Sequence, residues 1–200
     1  MMAATGPTSG RDILLLLLYV PGATGEFNEP IRGRTRLTKI MFIFEKEIYE
    51  AYRFDRIIPA SEMPEFYAWD FGPFSKDIFD DIEFFRRIGF IEVRATTGLE
   101  AGVEEAGEHQ RWQEMASADE ETDPGDYAEF TEETFQLTDR AISFIEKESL
   151  YEALSDNQRS ILQDYKRRFN GASLYAILQY VYGKYPDMTK QSKIKGRVVF

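Results

Sequence analysis

The stretch from Glu65 to Arg94 constrains the fold more than any other part of the chain. It reads Glu-Phe-Tyr-Ala-Trp-Asp-Phe-Gly-Pro-Phe-Ser-Lys-Asp-Ile-Phe-Asp-Asp-Ile-Glu-Phe-Phe-Arg-Arg-Ile-Gly-Phe-Ile-Glu-Val-Arg. Phe66 to Phe71 is aromatic, interrupted only by Ala68 and Asp70, and reads as a short strand that Gly72-Pro73 breaks. Ser75 stands where it can cap the next segment. There Ile78, Ile82, Phe85 and Ile88 recur at spacings of three and four, the stripe of a helix with one buried face. Gly89 stops that helix and Phe90 to Val93 begins a second strand. A strand, a capped helix, a glycine and a strand in one short run predict a winged helix, a helix-turn-helix variant used mostly for binding.

The remaining segments extend this pattern. Residues 1–10 are small and polar and read as a flexible tail. Arg11 to Val20 reads as a helix buried on most sides. Its eight apolar residues from Ile13 are too few to span a bilayer, and Asp12 spoils the positive flank of a signal peptide. From Thr35, a candidate N-cap, a long helix runs to about Tyr52, with Leu37, Ile40, Met41, Phe44, Ile48 and Tyr52 on one face. Thr134 to Thr138 is a strand able to pair with Phe90 to Val93 as the wing. Helices follow at 139–148, 156–169 and 173–182, the last ended by Gly183 and Pro186. The expected organisation is α+β and mostly helical. A winged-helix-like core spans 11–150 with an acidic insert at 99–133 in the wing, and 151–200 forms a C-terminal helical extension and basic tail.

Charge is distributed very unevenly. The chain carries a net −11. Leu99 to Glu133 holds thirteen acidic residues against Arg111 alone, a balance of −12, while the rest has 22 acidic and 23 basic residues. In a DNA-reading winged helix the third helix enters the major groove. Here its first half offers Lys76 against Asp77, Asp80, Asp81 and Glu83, the wrong sign for phosphates. A protein partner is therefore expected, met by Asp77, Asp80, Asp81 and Glu83 together with Glu104, Glu105, Glu120 and Glu121 of the insert. The alternative is a DNA-binding regulator using Arg32, Arg34, Arg36 and Lys39 with Lys193, Lys195 and Arg197. Lys166-Arg167-Arg168 is a further basic run.

Chemistry is harder to find. With no cysteine there is no disulfide or thiol nucleophile, which agrees with a reducing cytoplasm. His109 is the only histidine and lies in the acidic insert. Asp70-Phe71-Gly72 matches the metal-binding triplet of protein kinases without their other motifs, and Gly22-Ala-Thr-Gly25 lacks the Lys-Ser or Lys-Thr of a phosphate loop. Neither enzymatic activity nor a cofactor, metal or membrane association is expected.

Gly33-Arg-Thr-Arg-Leu-Thr-Lys-Ile, then Phe71-Gly-Pro-Phe-Ser, Ile88-Gly-Phe-Ile and Phe135-Gln-Leu-Thr, follow the order of motifs in the YwgA-like bacterial proteins, which the chain resembles. Ser173-Leu-Tyr-Ala-Ile-Leu-Gln-Tyr-Val-Tyr, Tyr185-Pro186 and Ser192-Lys-Ile194 extend that resemblance. More distantly the chain is similar to the SocA-like antitoxin domains called Panacea. The resemblance covers most of the chain outside the acidic insert. It implies a non-enzymatic prokaryotic module, in the antitoxin branch one that neutralises a toxin by contact, and it carries over no catalytic residue.

Overall fold

A helix with no polar face has to be buried all round. Helix α1 (Gly10–Tyr19) is such a helix: Ile13 through Leu18 are each at most 1% exposed. Each of these side chains contributes about 1.5–3 kcal/mol by leaving water. The computed structural model describes residues 6–69, 71–97 and 131–192. Among them the protein is α+β and mostly helical, with two small antiparallel sheets.

Strand β1 (Ile31–Arg32) precedes α2 (Arg34–Ile43), whose residues Leu37 to Ile43 are all buried. The single helix expected from Thr35 to Tyr52 instead leaves α geometry after Ile43. A π-helical turn, Phe44–Ile48, follows, and the N-cap is Gly33 rather than Thr35. This wider turn carries Glu47 to Tyr180 and Tyr185, whose hydroxyls donate to its carboxylate at 2.7–2.8 Å.

Strands β2 (Tyr67–Trp69) and β3 (Gly72–Phe74) form a hairpin, with Tyr67 opposite Phe74 and Trp69 opposite Gly72. Gly72-Pro73, expected as a break, is therefore itself a strand. Pro73 is tolerated because it needs no ladder donor, and its carbonyl accepts a 2.8 Å hydrogen bond from Lys39 Nζ. Helix α3 (Lys76–Arg87) follows, with Ile78, Ile82 and Phe85 buried as their spacing predicts. Ser75 holds its N-cap position, yet the hydroxyl is buried and bonds to no described residue.

Strands β4 (Ile91–Thr97) and β5 (Thr131–Leu137) pair from Ile91–Leu137 to Thr97–Thr131, so the predicted wing strands do meet. The ladder takes in Thr131 to Glu133, which the sequence had assigned to the insert. Strand β1, too short to show any periodicity, pairs with β5, giving the sheet order β1-β5-β4.

Helices α4 (Asp139–Lys147), α5 (Asp156–Gly171) and α6 (Leu174–Lys184) begin at side-chain caps from Thr138, Ser155 and Ser173. Although the sequence placed α5 and α6 in an extension, they close over the same core as α1 and α2. Tyr165 donates to the Ile40 carbonyl at 2.6 Å, and Arg36 donates to the Phe169 and Ala172 carbonyls at the end of α5. Residues 6–10 are no loose tail: Gly6 and Pro7 are buried, and Gly6 N–H reaches the Glu148 carbonyl. No described helix is long and apolar enough to cross a membrane.

The end of α1 lies in the interior, where its last carbonyls lack water. Lys166, with no exposed surface, donates from Nζ to the Leu18 and Val20 carbonyls at 2.7 and 2.8 Å. Burial pushes both Lys39 and Lys166 down to about 7, with Glu29 pulling Lys166 slightly the other way. A folded pKa below the unfolded one means that the unfolded chain holds more protons between pH 7 and the usual lysine range. Stability is then expected to rise with pH across that window and to lose the contribution below it. The rise is on the order of 1 kcal/mol per lysine for each pH unit. Urea unfolding at pH 7, 8 and 9 should show this rise, and Lys39→Met should flatten it; a profile identical to the parent's would exclude the assignment.

Candidate interaction surface

The β2–β3 hairpin sorts its side chains by alternation. Ala68 faces the protein, while Tyr67 and Trp69 face out and are 44% and 51% exposed. Phe71 beside them is 38% exposed. Gly72 closes the turn with φ +84°, and a Cβ there would sit 3.1 Å from the Tyr182 ring. Only glycine meets both conditions.

The outward rings touch one another. Tyr67 lies 6.1 Å from Trp69 and 5.4 Å from Phe74 between centroids, and Trp69 lies 6.4 Å from Phe74. Phe74 continues to Phe79 of α3 at 4.9 Å, and the Arg34 guanidinium covers Phe79 at 5.4 Å. Large apolar side chains grouped in this way on a surface mark contact sites more often than scattered ones do.

Arg34 fixes one border of this platform. It grips the Glu133 carboxylate with Nε and Nη2 and reaches Glu83 at 3.3 Å, joining the start of α2 to β5 and α3. The hydrogen bond to Glu133 raises the guanidinium pKa further, against the opposing effect of burial. On α3, Asp77 accepts the Glu65 backbone N–H at 2.9 Å, Lys76 pairs with Asp80, and Glu83 also pairs with Arg86.

Of the acidic residues expected on this helix, Asp77 and Asp80 are exposed and Glu83 is half-buried, so these three reach the surface of the helix that carries Phe79. Asp81 does not: it is 8% exposed and bonds to Arg11 of α1, which stacks on Phe84. Burial raises the Asp81 carboxyl pKa, more than Arg11 lowers it. Glu104, Glu105, Glu120 and Glu121 lie outside the described residues, as do His109, Lys193, Lys195 and Arg197.

The four basic residues expected to line a nucleic-acid surface serve different ends. Arg32 is exposed on β1, Arg34 is held by carboxylates, Arg36 binds carbonyls of α5, and Lys39 is buried under Pro73. They share no single face. The Gly22-Ala-Thr-Gly25 segment is a turn, as expected, but its amides do hold an anion. Ala23 N–H, Thr24 N–H and hydroxyl, and Asn170 donate to Glu29. Burial alone would raise that carboxyl, but these bonds carry it down to about 2.

A second polar cluster joins the π turn to α6. Burial would raise Glu47, and donation from Tyr185, Tyr180 and Lys184 lowers it. Every group in it has a partner, so it works as a clasp between helices. Among the described residues no group of histidine, aspartate or glutamate side chains is arranged to hold a metal.

The alternation at Tyr67, Ala68 and Trp69 is visible in the sequence, where it indicates a strand. What it lacked was the packing of Ala68, which decides the face that water sees. No protein-family model matches the chain, and no curated protein or solved structure does so either.

Arg34 and Glu133 are each about one third exposed, so their pair keeps part of its strength against solvent screening. A double-mutant cycle with Arg34→Gln and Glu133→Gln is expected to give a coupling energy on the order of 1 kcal/mol. Additive losses in urea denaturation would show that the contact contributes nothing.

Proposed function

We propose that this chain is a non-catalytic interaction module on a winged-helix scaffold. It binds a protein partner through the aromatic hairpin and the adjoining acidic side of α3. The observation that carries this reading is the ring cluster of Tyr67, Trp69 and Phe74, solvent-exposed at its first two members and continued through Phe79 onto the helix that carries Asp77, Asp80 and Glu83. Tyr and Trp are the side chains most enriched among residues that dominate binding energy.

The scaffold reading is supported by topology. A first strand paired with the last, α2 and α3 between the first strand and the wing, and the order β1-β5-β4 suit a winged helix. The β2–β3 hairpin then occupies the link between the two central helices, where a helix-turn-helix has its short turn. It stands beside the first turns of α3, the half that would enter a DNA groove. With carboxylates on those turns, the assembly suits a protein surface better than phosphates.

The resemblance to YwgA-like proteins and to SocA-like antitoxin domains supports the same conclusion. It favours a role that is antitoxin-like, or as a subunit of a prokaryotic defence or regulatory assembly, acting in the cytoplasm. The regulator alternative retains Arg32, Lys193, Lys195 and Arg197 as its candidate contacts.

Affinity purification of tagged protein from its native host, with and without nuclease, tests the proposal. A stoichiometric protein that survives nuclease and is lost from a Tyr67→Ser, Trp69→Ser variant is the expected result. Retention of that partner by the variant would remove the hairpin from the contact. Recovery of nucleic acid, with proteins lost on nuclease treatment, would replace the proposal by the regulator.

A further inference from the structure

If the hairpin is the partner-binding face, as proposed above, its chemistry narrows what it can bind. Three features of the surface act together. The rings of Tyr67, Trp69 and Phe74 lie within 6.4 Å of one another between centroids, so they present one platform across which a ligand can lie.

Backbone recognition is largely closed off. Strand addition needs a row of free amides and carbonyls. Pro73 brings no N–H, its carbonyl is taken by Lys39, and β2 is three residues long. The ligand must therefore be held through side chains and must tolerate an unpaired backbone. A polyproline II segment meets that condition, because it has no internal hydrogen bonds and keeps its backbone in water. Its proline rings pack on aromatic faces at little entropic cost.

The charge beside the platform sets the flanking residues. Glu65 stands two residues before Tyr67, exposed on the same alternation, and Asp77 accepts its backbone N–H; neither carboxylate is in a salt bridge with a described residue. Asp80 and Glu83 add two more carboxylates, offset by Lys76, Arg34 and Arg86. An arginine or lysine at this edge would face carboxylates and the Trp69 and Tyr67 rings together, a cation–π and ion-pair site in one place. A single-stranded nucleic acid could also stack on the rings, but its phosphates would meet those same carboxylates.

We propose that the Tyr67–Trp69–Phe74 platform binds a basic, proline-containing segment of a protein partner in an extended polyproline II conformation, with Glu65 and Asp77 taking its cationic side chains.

The test uses the full chain carrying Trp112→Phe, so that fluorescence reports Trp69 alone. The probes are twelve-residue peptides repeating Arg-Pro-Pro, Glu-Pro-Pro or Arg-Ser-Ser, and a thymidine dodecamer. The expected result is a saturable Trp69 response to the Arg-Pro-Pro peptide that weakens with salt. Binding by the Arg-Ser-Ser and Glu-Pro-Pro peptides should be at least about tenfold weaker. A Glu65→Gln, Asp77→Asn variant should lose about tenfold for Arg-Pro-Pro, with its circular dichroism unchanged.

An equal response to Glu-Pro-Pro or Arg-Ser-Ser, tighter binding of the dodecamer, or no saturable response would overturn the assignment. So would full affinity in the carboxylate variant. The two proposals separate cleanly. A native partner that still requires Trp69 while the peptide fails leaves the face and removes this ligand chemistry. A native partner indifferent to Trp69 removes the face itself.

Discussion

Helix α1 ends in the interior, and the carbonyls at that end cannot be left dry. The Tyr19 carbonyl accepts the Asn28 N–H of the following loop, and those of Leu18 and Val20 are met by a side chain arriving from far along the chain, Lys166. This contact determines where α5 must lie. With α5 in place, Tyr165 reaches the Ile40 carbonyl and Arg36 reaches the end of α5, so α1, α2 and α5 become one block. Lys39 repeats the device on a smaller scale under Pro73, tying the hairpin to α2. Three of the chain's cations are thus spent on backbone oxygens, and positive charge that looked available for a surface is absorbed by the scaffold.

What the sequence makes legible follows from how local each cause is. Thr138, Ser155 and Ser173 cap helices within a few residues of themselves, and the starts of α4, α5 and α6 lie within one residue of their expected places. The pairing of β4 with β5 was legible in part, through Phe90 to Val93 and Thr134 to Thr138, while both strands run further than those residues. Strand β1 and the π turn were not, because a two-residue strand has no period and a widened turn leaves the apolar spacing nearly intact. Lys39, Lys166 and Arg36 misled for another reason: residue type gives a charge but not its partner, and their partners are 34 to 148 residues away. The acidic side of α3 was partly legible. Asp81 differed from its neighbours only because α1 places Arg11 against it.

The aromatic platform and Arg34 belong to one construction. Arg34 is drawn to Phe79 by its ring and to Glu133 and Glu83 by their charge, which fixes α3 beside β5 and sets Phe79 against Phe74. Rings held in this way have little freedom left to lose when something lies on them. A surface prepared at the folding step can bind with less ordering cost than one assembled on contact.

The π turn at Phe44–Ile48 has a consequence for the history and tolerance of this chain. Such a turn is what an α-helix becomes when one residue is added without disturbing its two ends. Removing one residue there would return an unbroken α-helix between the same two ends. Phe54, beyond the turn, would keep its place against the Phe44 ring at 5.1 Å, whereas Glu47, inside it, would lose its aim at Tyr180 and Tyr185. A single-residue deletion in this segment should accordingly be tolerated better than one inside α2, at the cost of the Glu47 clasp.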